Sequence, residues 1–360
     1  MSRQLERSQL NKILQAQDIE KLALSQIVSL FEKEGTADFV PDGLCHVDPR
    51  DGQRIIYNSA RARRPHDNQP LEPQRPSTER PCIICQGQTT GVIDMADLSE
   101  GFTFINKNLF PILSPSTASD SPPPPPATRA YGLHFLQWTS SLHDKDWHNM
   151  PAADRVVVME RLAALERKLV SEAWRGRRGF VSIVKNYGRL VGSSLSHGHQ
   201  QIIFSNVRPR RFDDNLRFEK ERGEHFAAYM LRQNPVELLV RDYGPAALLV
   251  PYFMRRPLDM MLLIKDTGKQ YLHELDEAEI AAVAAGWHDA IRAILLLMPQ
   301  MGRERAYNVV THNGPGAGLY FEFLPYTQET GGIEHLGLFV CQESPQNAAE
   351  RIRAVLACLD

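Results

Sequence analysis

Two stretches of this chain spell out the same order of elements, and that repetition constrains the fold more than any single residue. In the first, His134-Phe135-Leu136-Gln137-Trp138 predicts a strand. Val156, Met159, Leu162, Leu165 and Leu169 then line one face of a helix over 152–171, and strands follow over 180–185 and 197–204. In the second, strands over 247–251 and 260–265 precede a helix that begins after Asp276. Asp276 and Glu279 make an Asp-x-x-Glu capping signal, and Ile280, Val283, Trp287, Ile291 and Ile294 form the buried stripe. Strands over 307–311 and 318–324 complete it. A strand–helix–strand–strand module used twice predicts an α+β protein: two pseudo-symmetric halves around antiparallel sheet, with helices packed on it. The expected domains are an N-terminal helical segment over 1–44, a first half over 45–210 and a second over 211–360.

The remaining stretches are simpler. Leu10, Ile13, Leu14, Ile19, Leu22, Leu24, Ile27, Val28 and Phe31 have helical spacing, which predicts one or two helices over 5–33. The run from Ser114 to Arg129 contains five consecutive prolines, which favour an extended, solvated segment and predict an exposed loop without chemistry of its own. A chain of 360 residues has room for two ordinary domains. Its 41 basic and 43 acidic residues leave a formal charge of −2, so no global field draws in nucleic acid or anionic membrane. No apolar run approaches the roughly 18 residues of a membrane helix, and the first fifteen residues lack a signal-type hydrophobic core. A cytoplasmic enzyme is expected. Five scattered cysteines make no disulfide framework, but Cys82-Ile83-Ile84-Cys85 has the spacing of metal or redox chemistry.

The chemistry concentrates in Ser196-His197-Gly198-His199-Gln200-Gln201, which runs into Ile202-Ile203-Phe204. Period-two geometry sends His197, His199 and Gln201 to one side of a strand, as a pocket wall requires. Upstream, Lys185-Asn186-Tyr187-Gly188-Arg189-Leu190-Val191-Gly192-Ser193-Ser194 reads as a Gly/Ser loop whose amides suit a phosphate.

The pattern Asn186-x-Gly188-x3-Gly192-x-Ser194-x2-His197-x-His199-x-Gln201 resembles the active-site segment of the galactose-1-phosphate uridylyltransferase family, within the histidine-triad superfamily. Further segments match in order. Asp48-Pro49-Arg50-Asp51-Gly52 with Ser59-Ala60-Arg61-Ala62-Arg63-Arg64-Pro65 is similar to its phosphate-contacting arginine segment. Cys82-x2-Cys85 is similar to its zinc knuckle, and Gly132-x-His134 with His143 to its strand leading to a zinc histidine. The stretch from Leu248 to Ile294 and the final helix around Asn347–Arg353 resemble its C-terminal half. The resemblance implies two histidine-triad-like halves, and a nucleotide sugar plus a sugar 1-phosphate as partners. Galactose/glucose exchange is the default. The alternative is a phosphorylase of a nucleoside diphosphate sugar or a dinucleoside polyphosphate with inorganic phosphate as acceptor, since Gly192-Ser193-Ser194-Leu195-Ser196-His197 is also similar to the run in diadenosine tetraphosphate phosphorylases. A non-catalytic nucleotide binder is the third reading, and a homodimer is implied by the family alone.

By family position His199 is the nucleophile that becomes covalently nucleotidylated, and Gln201 donates to a non-bridging phosphoryl oxygen. Asn186, Gly192, Ser193 and Ser194 hold the β-phosphate or incoming phosphate. Arg61 and Arg64 offer guanidinium forks to phosphate, the alternative being a solvated basic turn. Asn106 and Asn108 fall where the family contacts base and ribose. One structural Zn2+ is implied on Cys82, Cys85, His143 and His197, with His134 and His148 as competing donors and a pair of inert buried cysteines as the alternative. Two departures stand out. Around His312, Tyr320, Glu322 and Asn215 the second half lacks the family's further metal ligands, so no second metal is expected. Gly337-Leu338-Phe339-Val340 stands where the family carries an aromatic followed by a sugar-binding glutamate, with Gln342 and Glu343 as candidate replacements.

Overall fold

The computed structural model describes residues 4–10, 18–33, 40–63, 82–89, 91–115, 122–174 and 178–359. They form two compact units: residues 1–146, 160–183 and 194–213, and residues 147–159, 184–193 and 214–360. The N-terminal segment counts with the first unit, and the division is not a single cut near residue 210.

The first unit opens with α1 (Arg7–Leu10) and α2 (Leu24–Lys33), so the predicted helical segment is realised as two short helices among its described residues; Ile13 and Leu14 lie outside them. Next come β1 (Leu44–Val47), β2 (Arg54–Tyr57), β3 (Val92–Asp97), β4 (Phe102–Lys107), β5 (Thr128–Arg129) and β6 (Gly132–Trp138). Helix α3 (Ala152–Ser171), β7 (Phe180–Tyr187) and β8 (His199–Ser205) complete the set. One sheet is β2-β1-β5; the other runs β3-β4-β6-β8-β7. The proline-rich stretch is thus not all loop: its last two residues pair with Cys45 and Leu44, while residues 116–121 lie outside the described residues.

Strand β6 is buried along its whole length. Its pairing with β8 sets Trp138 opposite His199, Leu136 opposite Gln201 and His134 opposite Ile203, so these six share one face. That face packs under Leu5, Leu10, Phe102 and Phe104 of the same apolar cluster. Leu10 is held there by its own burial, worth about 1.5–3 kcal/mol for such a side chain. A polar clamp fixes the segment after it. Arg161 grips the buried Asp94 at 2.6 and 2.8 Å, and Asp94 accepts the Ile19 amide at 2.9 Å. Burial raises the Asp94 pKa, opposed by the Arg161 guanidinium.

The second unit holds most of α4 (Arg210–Arg222), α5 (Phe226–Gln233), β9 (Leu239–Asp242), β10 (Ala246–Leu249) and β11 (Met260–Ile264). Then follow α6 (Glu277–Gln300), β12 (Tyr307–His312), β13 (Tyr320–Pro325), α7 (Gly332–His335) and α8 (Pro345–Ala357). Its antiparallel order is β7-β12-β13-β11-β10-β9. Asp276 caps α6 by accepting the Glu279 amide, and Glu279 reaches back to the Asp276 amide, the reciprocal box that the sequence predicts. The predicted stripe from Ile280 to Ile294 is buried. Among the described residues α6 is long and apolar enough to cross a bilayer, which the sequence reading had not seen, but two-thirds of that stretch is buried within the protein. It is a core helix. After each long helix, α3 and α6, two strands follow, β7 and β8 in one case and β12 and β13 in the other, as the strand–helix–strand–strand module predicts.

Asp259, just before β11, is 5% exposed, and its Oδ1 has no hydrogen-bond partner; Arg256 Nε stays 3.7 Å away. Burial, against the pull of Arg256, pushes its pKa from 3.8 up to about 7. The folded state thus keeps a proton that the unfolded chain has already lost. Asp259 therefore contributes stability below pH 3.8 that is progressively lost as pH rises to about 7. The D259N variant should gain melting temperature relative to the parent at pH 8 and not at pH 4. Parallel pH profiles in differential scanning calorimetry would contradict this.

Candidate active site

The site face lies in the first unit, and its order starts from His197. The strand expected from His197 begins instead at His199, so His197 sits in the turn before it and the period-two row holds only for His199 and Gln201. His197 Nε2–H donates to the Ser140 carbonyl at 2.7 Å. Its Nδ1 is therefore the bare nitrogen, and it faces Cys82 Sγ at 3.8 Å and Cys85 Sγ at 3.6 Å. His143 Nδ1 lies 3.5 Å from Cys85 Sγ, while its Nε2 stands 3.4 Å from Ser196 Oγ. The four ligand atoms of Cys82, Cys85, His143 and His197 lie within 4.8 Å of one another, a group able to hold a metal ion. Burial pushes the His197 pKa down to about 4, so its imidazole is neutral at pH 7, as a ligand must be. His134 and His148, the competing donors, are not part of this group.

His199 is 6% exposed. Its Nδ1–H donates to the His197 carbonyl at 2.8 Å, which fixes the tautomer and leaves the lone pair on Nε2. The Trp138 ring packs against it with centroids 4.9 Å apart, and edge-on against His197 at 5.4 Å. The indole N–H donates to Asn106 Oδ1 at 2.8 Å, and Asn106 Nδ2 donates to Thr89 Oγ1 and the Lys107 carbonyl. The Asn106 side chain is thus engaged with the protein around Trp138 rather than presented to a base or ribose.

Gln201 is bonded to His134, whose Nε2 lies 3.1 Å from its Oε1. His134 Nδ1 accepts the Ile112 amide at 3.0 Å, and Asn108 Nδ2 lies 3.3–3.4 Å from the same ring. Asn108 Oδ1 accepts the Phe110 amide at 2.9 Å. Arg61 Nη1 donates to the Phe110 carbonyl at 2.6 Å, and Asn58 Nδ2 donates to the carbonyls of Pro111 and Ile112. The turn that carries Arg61 is thereby stitched to the loop behind His134 and Gln201. Arg64 lies outside the described residues.

The glycine-serine loop divides. Ser194 belongs to the first unit; Asn186, Gly192 and Ser193 belong to the second. Asn186 Oδ1 accepts from Asn308 Nδ2 at 2.8 Å on the neighbouring strand. The amides of Val191, Gly192 and Ser193 return to the carbonyls of Gly188, Arg189 and Gly188, closing a turn with Gly192 at φ 84°. These three amides bond within the turn itself.

Further along the second unit, His312 and Glu322 approach at 2.6 Å (Nε2 to Oε2), and the His312 ring stacks on Tyr320 with centroids 4.3 Å apart. Glu343, a candidate sugar acceptor, accepts from Arg351 at 2.8 Å. Leu338, Phe339 and Val340 are exposed.

Sequence reasoning missed the partners: Ser140 for His197, Trp138 for His199 and His134 for Gln201. Alternation along β6 puts His134, Leu136 and Trp138 on one face, a legible signal that needed only the pairing with β8 to be read.

No family model matches the chain. ADP-glucose phosphorylase of Arabidopsis thaliana is 23% identical over 329 residues, covering 86% of this chain and 92% of that protein. A solved uridylyltransferase superposes with a TM-score of 0.68 at 20% identity, over 88% of this chain and all of the other. The crystal structure of the Arabidopsis thaliana ADP-glucose phosphorylase with bound ADP-glucose gives 0.63 at 18%, over 86% and 98%. The chain has the mixed, antiparallel fold of these enzymes. In fold it is similar to the solved uridylyltransferase and ADP-glucose phosphorylase, and in sequence to the latter.

Gly198 separates the two histidines, and a Cβ there would stand 2.6 Å from Asp146 Cγ and Thr139 Oγ1. Thr139 also sends its amide and its hydroxyl to the Gly198 carbonyl, each at 3.0 Å. The G198A variant should lose about 1–3 kcal/mol to overpacking. It should also perturb the His199 imidazole resonances in NMR; an unchanged melting temperature and spectrum would refute the close approach.

Proposed function

We propose that this chain is a nucleotidyl transferase that cleaves a nucleoside diphosphate sugar through a covalent nucleotidyl-His199 and passes the nucleotide to inorganic phosphate. The observation that carries the proposal is the tautomer of His199. With Nδ1–H held by the His197 carbonyl, Nε2 presents a lone pair in a buried, polar setting. Nε2 attacks the α-phosphorus; the bond from that phosphorus to the bridging oxygen breaks, and sugar 1-phosphate leaves with the electron pair. The ring now carries positive charge, which the His197 carbonyl stabilises through Nδ1–H. An oxygen of inorganic phosphate then attacks the same phosphorus, the nitrogen–phosphorus bond breaks, and the neutral imidazole returns with a nucleoside diphosphate released. Gln201 donates to a non-bridging oxygen in both displacements without leaving an ion pair that would trap the adduct. Arg61 and Ser194 supply further donors for phosphate oxygens.

Two observations support phosphate as acceptor. The segment Gly337–Val340 offers apolar side chains where a sugar carboxylate would stand, and Glu343 is paired with Arg351. The curated relative is itself a phosphorylase of ADP-glucose. Incubation with ADP-glucose and UDP-glucose, followed by intact mass measurement, should show one nucleoside monophosphate added, and none in the H199A variant. Inorganic phosphate should discharge that adduct. Discharge by hexose 1-phosphate alone would make the enzyme an exchanging transferase; no adduct from any nucleotide sugar would end the proposal.

The metal of the Cys82, Cys85, His143 and His197 group is, in this reading, a structural zinc. A tetrahedral zinc with sulfur at about 2.3 Å and nitrogen at about 2.0 Å sets sulfur–nitrogen separations near about 3.5 Å. The three measured here are 3.5, 3.6 and 3.8 Å. When bound, the ion would cross-link the Cys82–Cys85 turn to the segment that carries His197. Purified protein should contain about one zinc per chain, lost with a marked drop in melting temperature in the C82S/C85S variant. Full stability without metal would contradict the assignment.

A further inference from the structure

We infer that His134 is a positioning residue that fixes which end of the Gln201 carboxamide faces the transferred phosphoryl group. The inference rests on the functional reading above and extends it to a residue outside the nucleophile segment.

The two ends of a carboxamide have nearly the same shape and opposite hydrogen-bonding character. Gln201 aids the displacement only if its NH2 end meets the phosphoryl oxygens. With the oxygen end there, two partial negative charges would face each other. Nothing in the glutamine itself selects the right end, so a neighbour must.

The structure contains that neighbour. His134 is fully buried on β6, diagonal to Gln201 across the pair Leu136–Gln201. Its Nδ1 lies 3.0 Å from the Ile112 amide, an obligatory donor, so Nδ1 accepts and cannot carry a proton. Asn108 does not choose between the two ring nitrogens, since its Nδ2 lies 3.4 Å from Nδ1 and 3.3 Å from Nε2; the Ile112 amide does. A neutral imidazole with a bare Nδ1 holds its proton on Nε2, and Nε2 meets Gln201 Oε1 at 3.1 Å. The oxygen of Gln201 is therefore claimed on the His134 side, and its NH2 is the end turned away. A backbone amide sets the tautomer, the tautomer sets the amide, and the amide sets the donor.

The test uses the full chain with two variants at position 134. A leucine removes the donor and frees the carboxamide to turn over; a glutamine restores an N–H near the position of Nε2. Single-turnover adduct formation from the nucleotide sugar that labels the parent should slow about 10- to 100-fold in H134L, the usual loss when an orienting partner is removed. Its apparent substrate affinity should hold, and H134Q should recover most of the rate. Equal rates in H134L and the parent, or equal losses in both variants, would overturn the inference. Imidazole 15N spectra test the same claim without catalysis. The parent should show His134 protonated on Nε2 and bare on Nδ1, and Q201L should shift only the Nε2–H signal. A proton on Nδ1, or no response to Q201L, would refute it even if the enzyme is active. If the parent forms no adduct, the functional reading falls separately and the spectra still decide on His134.

Discussion

One residue, His197, joins the two halves of the chemistry. Its ring offers Nδ1 to the cysteine sulfurs because Nε2–H is tied to the Ser140 carbonyl, and its own carbonyl takes the Nδ1–H of His199. The Cys/His group and His199 are therefore not independent neighbours. A shift of one residue in this segment would turn a ligating nitrogen away from the sulfurs and leave the His199 tautomer unset. Gly198 makes the arrangement sterically feasible, since Asp146 and Thr139 occupy the volume that any side chain would need. The requirement is one of space, and it explains a glycine in a segment whose other residues are all polar.

Around this point the sheet face is both polar and buried, which is costly unless every group finds a partner. Asn106 serves the Trp138 indole, Thr89 and the Lys107 carbonyl, and Trp138 in turn packs against both histidines. Asn108, Ile112 and His134 make a second chain of bonds that ends on Gln201. Each partner removes a degree of freedom, a ring flip or an amide rotation, before substrate arrives. Such prior ordering is what electrostatic stabilisation of a transition state requires, because dipoles that must turn during the reaction lose much of their effect.

The regular elements were legible in the sequence because their signals are local. The capping box at Asp276 and the stripe from Ile280 to Ile294 fix a helix without reference to anything else, and α6 forms over that stretch. The ligand group was legible for a different reason: Cys-x2-Cys spacing and two histidines match a known pattern, and the four side chains do converge. Three things were not legible. The start of β8 at His199 depends on where the partner strand ends, so His197 could not be assigned by alternation. The roles of Asn106 and Asn108 depend on neighbours far away in sequence, Trp138 and His134. The final residues of the proline-rich stretch pair with β1 because of register, which composition does not encode.

The two modules share their order of elements but not their chemistry, and corresponding positions show why. In the first, the last strand opens with His199 and carries Gln201 two residues on; in the second, β13 opens with Tyr320 and carries Glu322. Each second residue is bonded to a histidine of an adjacent strand, Gln201 to His134 and Glu322 to His312. A phenol stacked on an imidazole has no basic nitrogen to offer phosphorus, and a carboxylate facing a phosphoryl group would repel it. The second module keeps the hydrogen-bonded frame and carries Tyr320 and Glu322 where the first carries His199 and Gln201. In the proposed reaction the two acting side chains therefore lie in one module, on a frame that the other module also builds.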